Sequence, residues 1–333
     1  MNAIRIDGTT PGGSREPLAP RIPLDTPFSV QIFPAYACNL ACPYCIHSVP
    51  KDKRRFVASK TLLDMEIYNK FVHDMRAFPK KLKMLRFAGT GEPLLHPDLP
   101  AMISLAHDAG IAESLDIVTN GLRLSPQLSD ALVAAGISRI RISLQGLDDS
   151  AYAYTGRQGV FEELRENIRY LYVHRKQAGI YVKIIDVALK SGEKEKFLAM
   201  FGDICNWIAI EHITPAVPQI DYTRLTEKQE LAQNGQAVVQ AQVCPQSFYM
   251  LQVNPDGAVV PCCAMETTVQ LGNLTEMSML DIWQGDVLRE FRRAQLLGQK
   301  AKYPVCATCK QYPYAMFPED NLDGVAKELL QKI

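Results

Sequence analysis

Residues 28–45 read FSVQIFPAYACNLACPYC, an aliphatic run followed at once by three cysteines in a Cys-x3-Cys-x2-Cys spacing. The run from Phe28 to Phe33 has the β-branched and aromatic character of a buried strand. Cys38, Cys42 and Cys45 then fall in a loop too short to fold as anything but a wrap around a small object. Three thiolates on one loop suit a [4Fe–4S] cube with one iron free of protein ligands. A zinc knuckle is the competing reading, and it requires a fourth ligand, for which His47 stands nearest.

Working outward, five further runs rich in β-branched or aliphatic residues follow: Leu82 to Phe87, Leu115 to Thr119, Arg139 to Leu144, Val182 to Leu189 and Ile208 to Ile213. Helical patterns lie between them. Ile67, Phe71 and Met75 stand four apart and share one helical face. Ser125 is a candidate N-cap, with Pro126 in the first turn and Gly136 past the end. Ala-Gly-Ile recurs at 109–111, 135–137 and 178–180, a weak internal repeat in which glycine can close a helix. Strands alternating with helices imply parallel pairing through right-handed crossovers. The expected fold class is α/β, a partial (β/α)6 TIM-like barrel, since a full barrel would need two more units.

At 333 residues the chain exceeds one hydrophobic core and calls for a large and a small domain. The expected divisions are a flexible N-terminal tail at 1–24, the partial barrel at 25–214 and a linker with a connecting helix at 215–243. A small cysteine-bearing domain follows at 244–315 and a C-terminal segment at 316–333, the latter holding an amphipathic helix from Asp323 to Ile333. The small domain begins with a hairpin, Phe248 to Asn254, the turn Pro255-Asp256-Gly257, then Ala258 to Cys263. A helix from Met279 to Leu297 leads on to Cys306 and Cys309.

Composition excludes several classes. Lys plus Arg equals Asp plus Glu at 36 each, so the field that a nucleic-acid partner requires is missing. No apolar run reaches spanning length, which argues against a membrane, and no signal-peptide core follows the N-terminus. Of the nine cysteines, eight fall in two groups, which points to metal rather than disulfides and to the reducing cytoplasm.

After the second run stands Phe87-Ala88-Gly89-Thr90-Gly91-Glu92-Pro93, and the third ends in Thr119-Asn120-Gly121. With the cysteine loop, these resemble the radical S-adenosylmethionine (SAM) superfamily, whose cluster cleaves SAM reductively to a 5′-deoxyadenosyl radical. The resemblance makes Cys38, Cys42 and Cys45 ligands of the first [4Fe–4S] cluster. It makes Tyr44, Gly89, Gly91, Glu92, Pro93, Asn120 and Ser143 cofactor-binding, with Glu92 accepting from the methionine ammonium. Thr90 between the glycines is a variant of the family's pattern. Arg157 could pair with the cofactor's carboxylate or simply be solvated. Reduced flavodoxin or ferredoxin is the electron donor the family implies.

Cys244, Cys262, Cys306 and Cys309 give four thiolates that one fold can bring together, closing a site for a cluster or for structural zinc. Cys-Pro at 244–245, Pro-Cys-Cys at 261–263, Leu271-Gly272-Asn273 and Ile282-Trp283 resemble SPASM/Twitch extensions, which carry auxiliary clusters. One auxiliary cluster matches the cysteine count. Adjacent strand residues face opposite ways, so Cys262 is taken as ligand. Cys263 is then either a buried hydrophobe or a catalytic thiol that hands hydrogen to a substrate radical. Cys205 reads as core.

For the substrate, Asp186, Glu211, His212, Asp221 and Tyr222 are candidates, as are His47, Lys51 and Arg54. One expectation is a small polar metabolite, sugar- or aminocyclitol-like, oxidised or epimerised at a carbinol carbon. The alternative is a ribosomal peptide. Only about 25 residues precede the first strand, short for a separate leader-binding domain, which tilts the expectation to the metabolite. A two-cluster electron carrier would have no use for Gly89 to Pro93.

Overall fold

Alternation along the strands decides which side chains meet the helices and which meet the interior. The computed structural model describes residues 1–6, 15–227 and 230–333. Strands β1 (Ile4–Arg5), β2 (Ser29–Ile32), β3 (Met84–Phe87), β4 (Leu115–Thr119), β5 (Arg139–Leu144), β6 (Gly179–Ile185) and β7 (Trp207–Glu211) are followed by a hairpin region. That region holds β8 (Met250–Val253), β9 (Ala258–Val260) and β10 (Gly272–Asn273). They form one open sheet in the order β1-β7-β6-β5-β4-β3-β2-β8-β9-β10. Strands β2 to β7 are parallel throughout, a partial barrel of six units.

The crossovers are helical: α1 (Met65–Met75), α2 (Leu99–Ala109), α3 (Pro126–Ala134), the short α4 (Asp149–Ala153), α5 (Phe161–His174) and α6 (Glu193–Phe201). Ile67, Phe71 and Met75 of α1 are buried in one core with Val30, Leu85, Ile117, Ile140 and Val182 of the sheet. Each such side chain contributes roughly 1.5–3 kcal/mol on burial. The expected cap of α3 is present, with the Leu128 amide donating to Ser125 Oγ at 3.2 Å. Gly110 and Gly136 close helices at φ 62° and 87°. The third Ala-Gly-Ile does not act this way: Gly179 opens β6, and a Cβ there would come within 2.3 Å of the Trp207 ring.

Several expectations are corrected. Within the supposed flexible tail, Ile4–Arg5 pairs with β7, while Leu18 and Ile22 are buried against Val243, Phe248, Leu322 and Leu329; residues 7–14 lie outside the described residues. The linker's only helical turn among the described residues is Tyr222–Arg224, a 3-10 turn. The long helix is two, α7 (Met279–Gln284) and α8 (Asp286–Leu296), interrupted by an extended Gly285. Glycine's poor helix propensity places the break there. The C-terminal helix shortens to a 3-10 turn, Asp323–Val325, and one α turn, Ala326–Leu329. The hairpin is no separate layer, because β8 lies parallel to β2 and carries the small domain onto the barrel's edge.

Candidate active site

The cysteine loop leaves the end of β2 and is tied down at several points. The Ala41 amide donates to the Thr155 carbonyl at 2.9 Å, and Arg157 Nε to the Asn39 carbonyl at 2.8 Å. Arg157 is thus spent on the loop backbone rather than offered to a cofactor through Nε. Cys42 is buried, Cys38 and Cys45 are half-buried, and all nine cysteines of the chain are free thiols. The Tyr44 hydroxyl donates to Gln145 Oε1, and the Tyr222 hydroxyl to the Tyr44 carbonyl at 2.9 Å. Gln145 and Tyr222 therefore fix the aromatic of the loop. Gln145 escaped the sequence reading, although it lies only two residues beyond Ser143; its Nε2 donates to the Ser143 carbonyl at 3.1 Å.

The loop after β3 packs its backbone directly on the cysteine segment. A Cβ at Gly91 would lie 1.8 Å from the Ala35 carbonyl oxygen, and Gly89 takes φ 147° with Phe33 against it. Close approach, not flexibility, requires both glycines. Glu92 begins the 3-10 turn Pro93–Leu95 and is buried. Its carboxylate accepts from the Leu94 amide (2.9 Å), Thr119 Oγ1 (2.6 Å) and the Asn120 amide (2.8 Å). Three of about four acceptor positions are thereby filled, so Glu92 couples this loop to the end of β4 and keeps one acceptor position open. Burial raises its carboxyl above the usual range while those donors oppose the rise. Asn120 Nδ2 donates to Asn39 Oδ1 at 2.8 Å and lies 3.8 Å from Cys38 Sγ.

His47 does not present itself as a fourth metal ligand. Its Nε2 bonds the Thr90 carbonyl at 2.8 Å, and Arg54 holds the His47 and Val49 carbonyls. Lys51 lies in an exposed 3-10 turn. The Thr90 hydroxyl is buried without a hydrogen-bond partner, and Thr90 lines the large cavity inside the sheet. Among the described residues, no three Cys, His, Asp or Glu side chains converge as one metal ion requires. A cubane is a larger body, with its thiolates spaced around a cube.

Inside the sheet, a cavity of about 490 Å³ is lined by Arg86, Thr90, Arg141, Lys183, Glu211 and Cys263, among others. A row of charges crosses its wall. Asp116 accepts from Arg141 Nη2 (3.0 Å), Arg139 Nη1 (3.2 Å) and Ser114 Oγ (2.7 Å). Burial works to raise the Asp116 carboxyl, but Arg141, Arg86 and Arg139 outweigh it and hold it low. Glu211 accepts from Lys183 (2.6 Å), Tyr181 (3.0 Å) and Gln233 (2.8 Å). Sequence reading found Glu211 but missed Arg86, Asp116, Arg141 and Lys183. The charged members of Leu85-Arg86, Ile140-Arg141 and Val182-Lys183 were the available signal. Asp186 and His212 form a pair at 2.8 Å, and Asp221 accepts from Thr223 in its own turn.

The second cysteine group converges. Cys244, Cys262, Cys306 and Cys309 line one small cavity with Phe291 and Gln295. Gln295 is 1% exposed, and its amide stands against the Cys306 thiol, so the cavity carries a polar group beside the four sulfurs. Cys263 points the other way, into the barrel cavity, where Gln311 Nε2 lies 3.8 Å from its sulfur. Cys205 is core, donating to the Phe201 carbonyl at 3.1 Å. No helix among the described residues is long and apolar enough to cross a membrane.

Comparison with known proteins agrees with this geometry. A profile of the radical SAM superfamily matches residues 32–200, and one of an iron–sulfur cluster-binding domain, SPASM, matches residues 244–310. The chain is 25% identical over 313 residues to the tungsten-containing aldehyde ferredoxin oxidoreductase cofactor-modifying protein of Pyrococcus furiosus, covering 82% of this chain and 84% of that protein. It is 25% identical over 328 residues to the PqqA peptide cyclase of Ruegeria pomeroyi, covering 87% and 82%. The crystal structure of BtrN in complex with AdoMet and 2-DOIA matches at a TM-score of 0.54 and 18% identity, over 86% of this chain and 97% of that one, a likeness of fold alone. The two matched domains imply two [4Fe–4S] clusters and SAM. The chain belongs to the radical SAM superfamily and carries a SPASM domain on the C-terminal side of the barrel.

Proposed function

We propose that this enzyme abstracts a hydrogen atom from a carbinol carbon of a small polar metabolite in the barrel cavity, and that Cys263 returns one, inverting that carbon. The observation that carries the reading is the divergence of neighbouring thiols: Cys262 enters the four-cysteine cavity and Cys263 the barrel. Cys38, Cys42 and Cys45 hold the first cluster; Cys244, Cys262, Cys306 and Cys309 hold the second. When bound, the first cluster and SAM supply the radical that takes the hydrogen. Gly89, Gly91 and Pro93 shape the cofactor's bed with Tyr44, Asn120 and Ser143, while Glu92 positions Asn120. The Cys263 S–H bond breaks as the new C–H bond forms. One electron and one proton then restore the thiol, the electron coming from a flavodoxin- or ferredoxin-type donor. Such chemistry, with nine free cysteines, belongs in a reducing cytoplasm.

A cavity of about 490 Å³ with a charged lining suits a small polar molecule. The relationship to a peptide cyclase supports the second reading, a peptide substrate. The deciding experiment screens acidic and neutral polyols against peptides for stimulated 5′-deoxyadenosine release in heavy water. Stimulation by a polyol, with one solvent deuterium in the product, is the expected result. Stimulation by peptides alone would overturn the metabolite reading, and a product two electrons more oxidised and free of deuterium would replace inversion by oxidation.

A further inference from the structure

Arg86 projects from β3 into the barrel cavity with its electrostatics unfinished. Its Nε is buried without a hydrogen-bond partner, and its Nη2 meets only the thioether of Met84, at 3.3 Å. The carboxylates around it are committed elsewhere. Asp116 Oδ1 takes Ser114 and Oδ2 takes Arg139 and Arg141. Glu211 is held by Lys183, Tyr181 and Gln233. Of two further carboxylates lining the cavity, Asp320 pairs with Arg15 at 2.5 Å and Glu16 with Arg21.

Among the described residues Asp116 faces three guanidiniums, Arg86, Arg139 and Arg141, and hydrogen-bonds the last two. Burial and the neighbouring Arg141 charge depress the Arg86 guanidinium to about 10, which leaves it cationic near neutral pH. Arg86 feels the Asp116 charge but makes no hydrogen bond to that carboxylate, so its Nε–H stays unpaired, and a planar guanidinium is shaped to bind an oxyanion through paired N–H donors.

We infer that Arg86 is the anchor of an oxyanion subsite and that the substrate is a metabolite bearing a carboxylate or phosphate. The inference rests on the reading of the barrel cavity as the substrate site. Arg141 backs the subsite electrostatically, and Cys263 lines the same cavity, so anchoring the acid group restricts which carbon faces the thiol.

The test is calorimetric titration of the reconstituted, SAM-saturated full chain with inorganic phosphate and, in parallel, acetate, at constant ionic strength. Saturable binding is expected, weakened about tenfold or more by Arg86→Gln, as loss of a hydrogen bond to a charged group implies. Arg86→Lys, which keeps the charge but loses the fork, should fall between. Tighter phosphate than acetate specifies a phosphorylated substrate, and the reverse a carboxylated one. Three results would each overturn the subsite: no saturable binding of either anion, binding indifferent to both variants, or binding seen only without SAM, which would give Arg86 to the cofactor's own carboxylate. A thermal melt of Arg86→Gln in anion-free buffer should show no loss against wild type; a large loss would make Arg86 a structural partner of Asp116 instead. Cleavage of SAM by the wild type reports separately on the radical reading, so either failure can be recognised alone.

Discussion

Cys42→Ala is expected to abolish 5′-deoxyadenosine formation, down to the level of iron-free protein. Cys42 is the most buried thiol of its loop, at 8% exposure, and the Cys45 amide donates to its carbonyl at 2.9 Å. Two remaining thiolates cannot hold a cube while leaving one iron open. The second cluster, on its own four cysteines, should survive, so the variant loses about half its iron and all its cleavage. Chromatographic assay for 5′-deoxyadenosine under reducing, anaerobic conditions reads the effect, and retained cleavage would remove the cluster assignment.

Cys263→Ala has an equally large expected effect on a different observable. Because Cys262 faces the four-cysteine cavity, iron content should stay at the wild-type level. The variant should still consume SAM in the presence of substrate, yet product formed in heavy water should carry no solvent deuterium at the inverted carbon. The substrate radical, left without its donor, should drain into side products. Normal deuterium incorporation would end the case for Cys263 as donor and leave it a buried hydrophobe.

The parts of this site legible in the sequence are those written in local spacing. The runs Leu115 to Thr119 and Arg139 to Leu144 coincide with β4 and β5, and the cysteine loop and the Gly-Thr-Gly-Glu-Pro turn stand out by short-range pattern alone. What was missed depends on distant pairing. Ile4–Arg5 is too short to show alternation and becomes a strand only because the β7 edge is open to it. The hairpin reads as a self-contained unit, and only its partner, β2, reveals that it extends the barrel. The charges of Arg86 and Arg141 looked incidental within aliphatic runs; the parallel register, which sets Arg86 opposite Asp116 and Asp116 opposite Arg139, turns them into one cluster. The motif names Glu92 but not its bonds to Thr119 and Asn120, which tie two strand ends together and depend on distant pairing.

Counting iron and sulfide per chain after anaerobic reconstitution bears most directly on the central claim, that each cysteine group holds a cubane. About eight of each, falling to about four when Cys306 and Cys309 are both replaced by alanine, is the predicted result. About four of each in the wild type, with zinc present and the count unmoved by that double replacement, would contradict it.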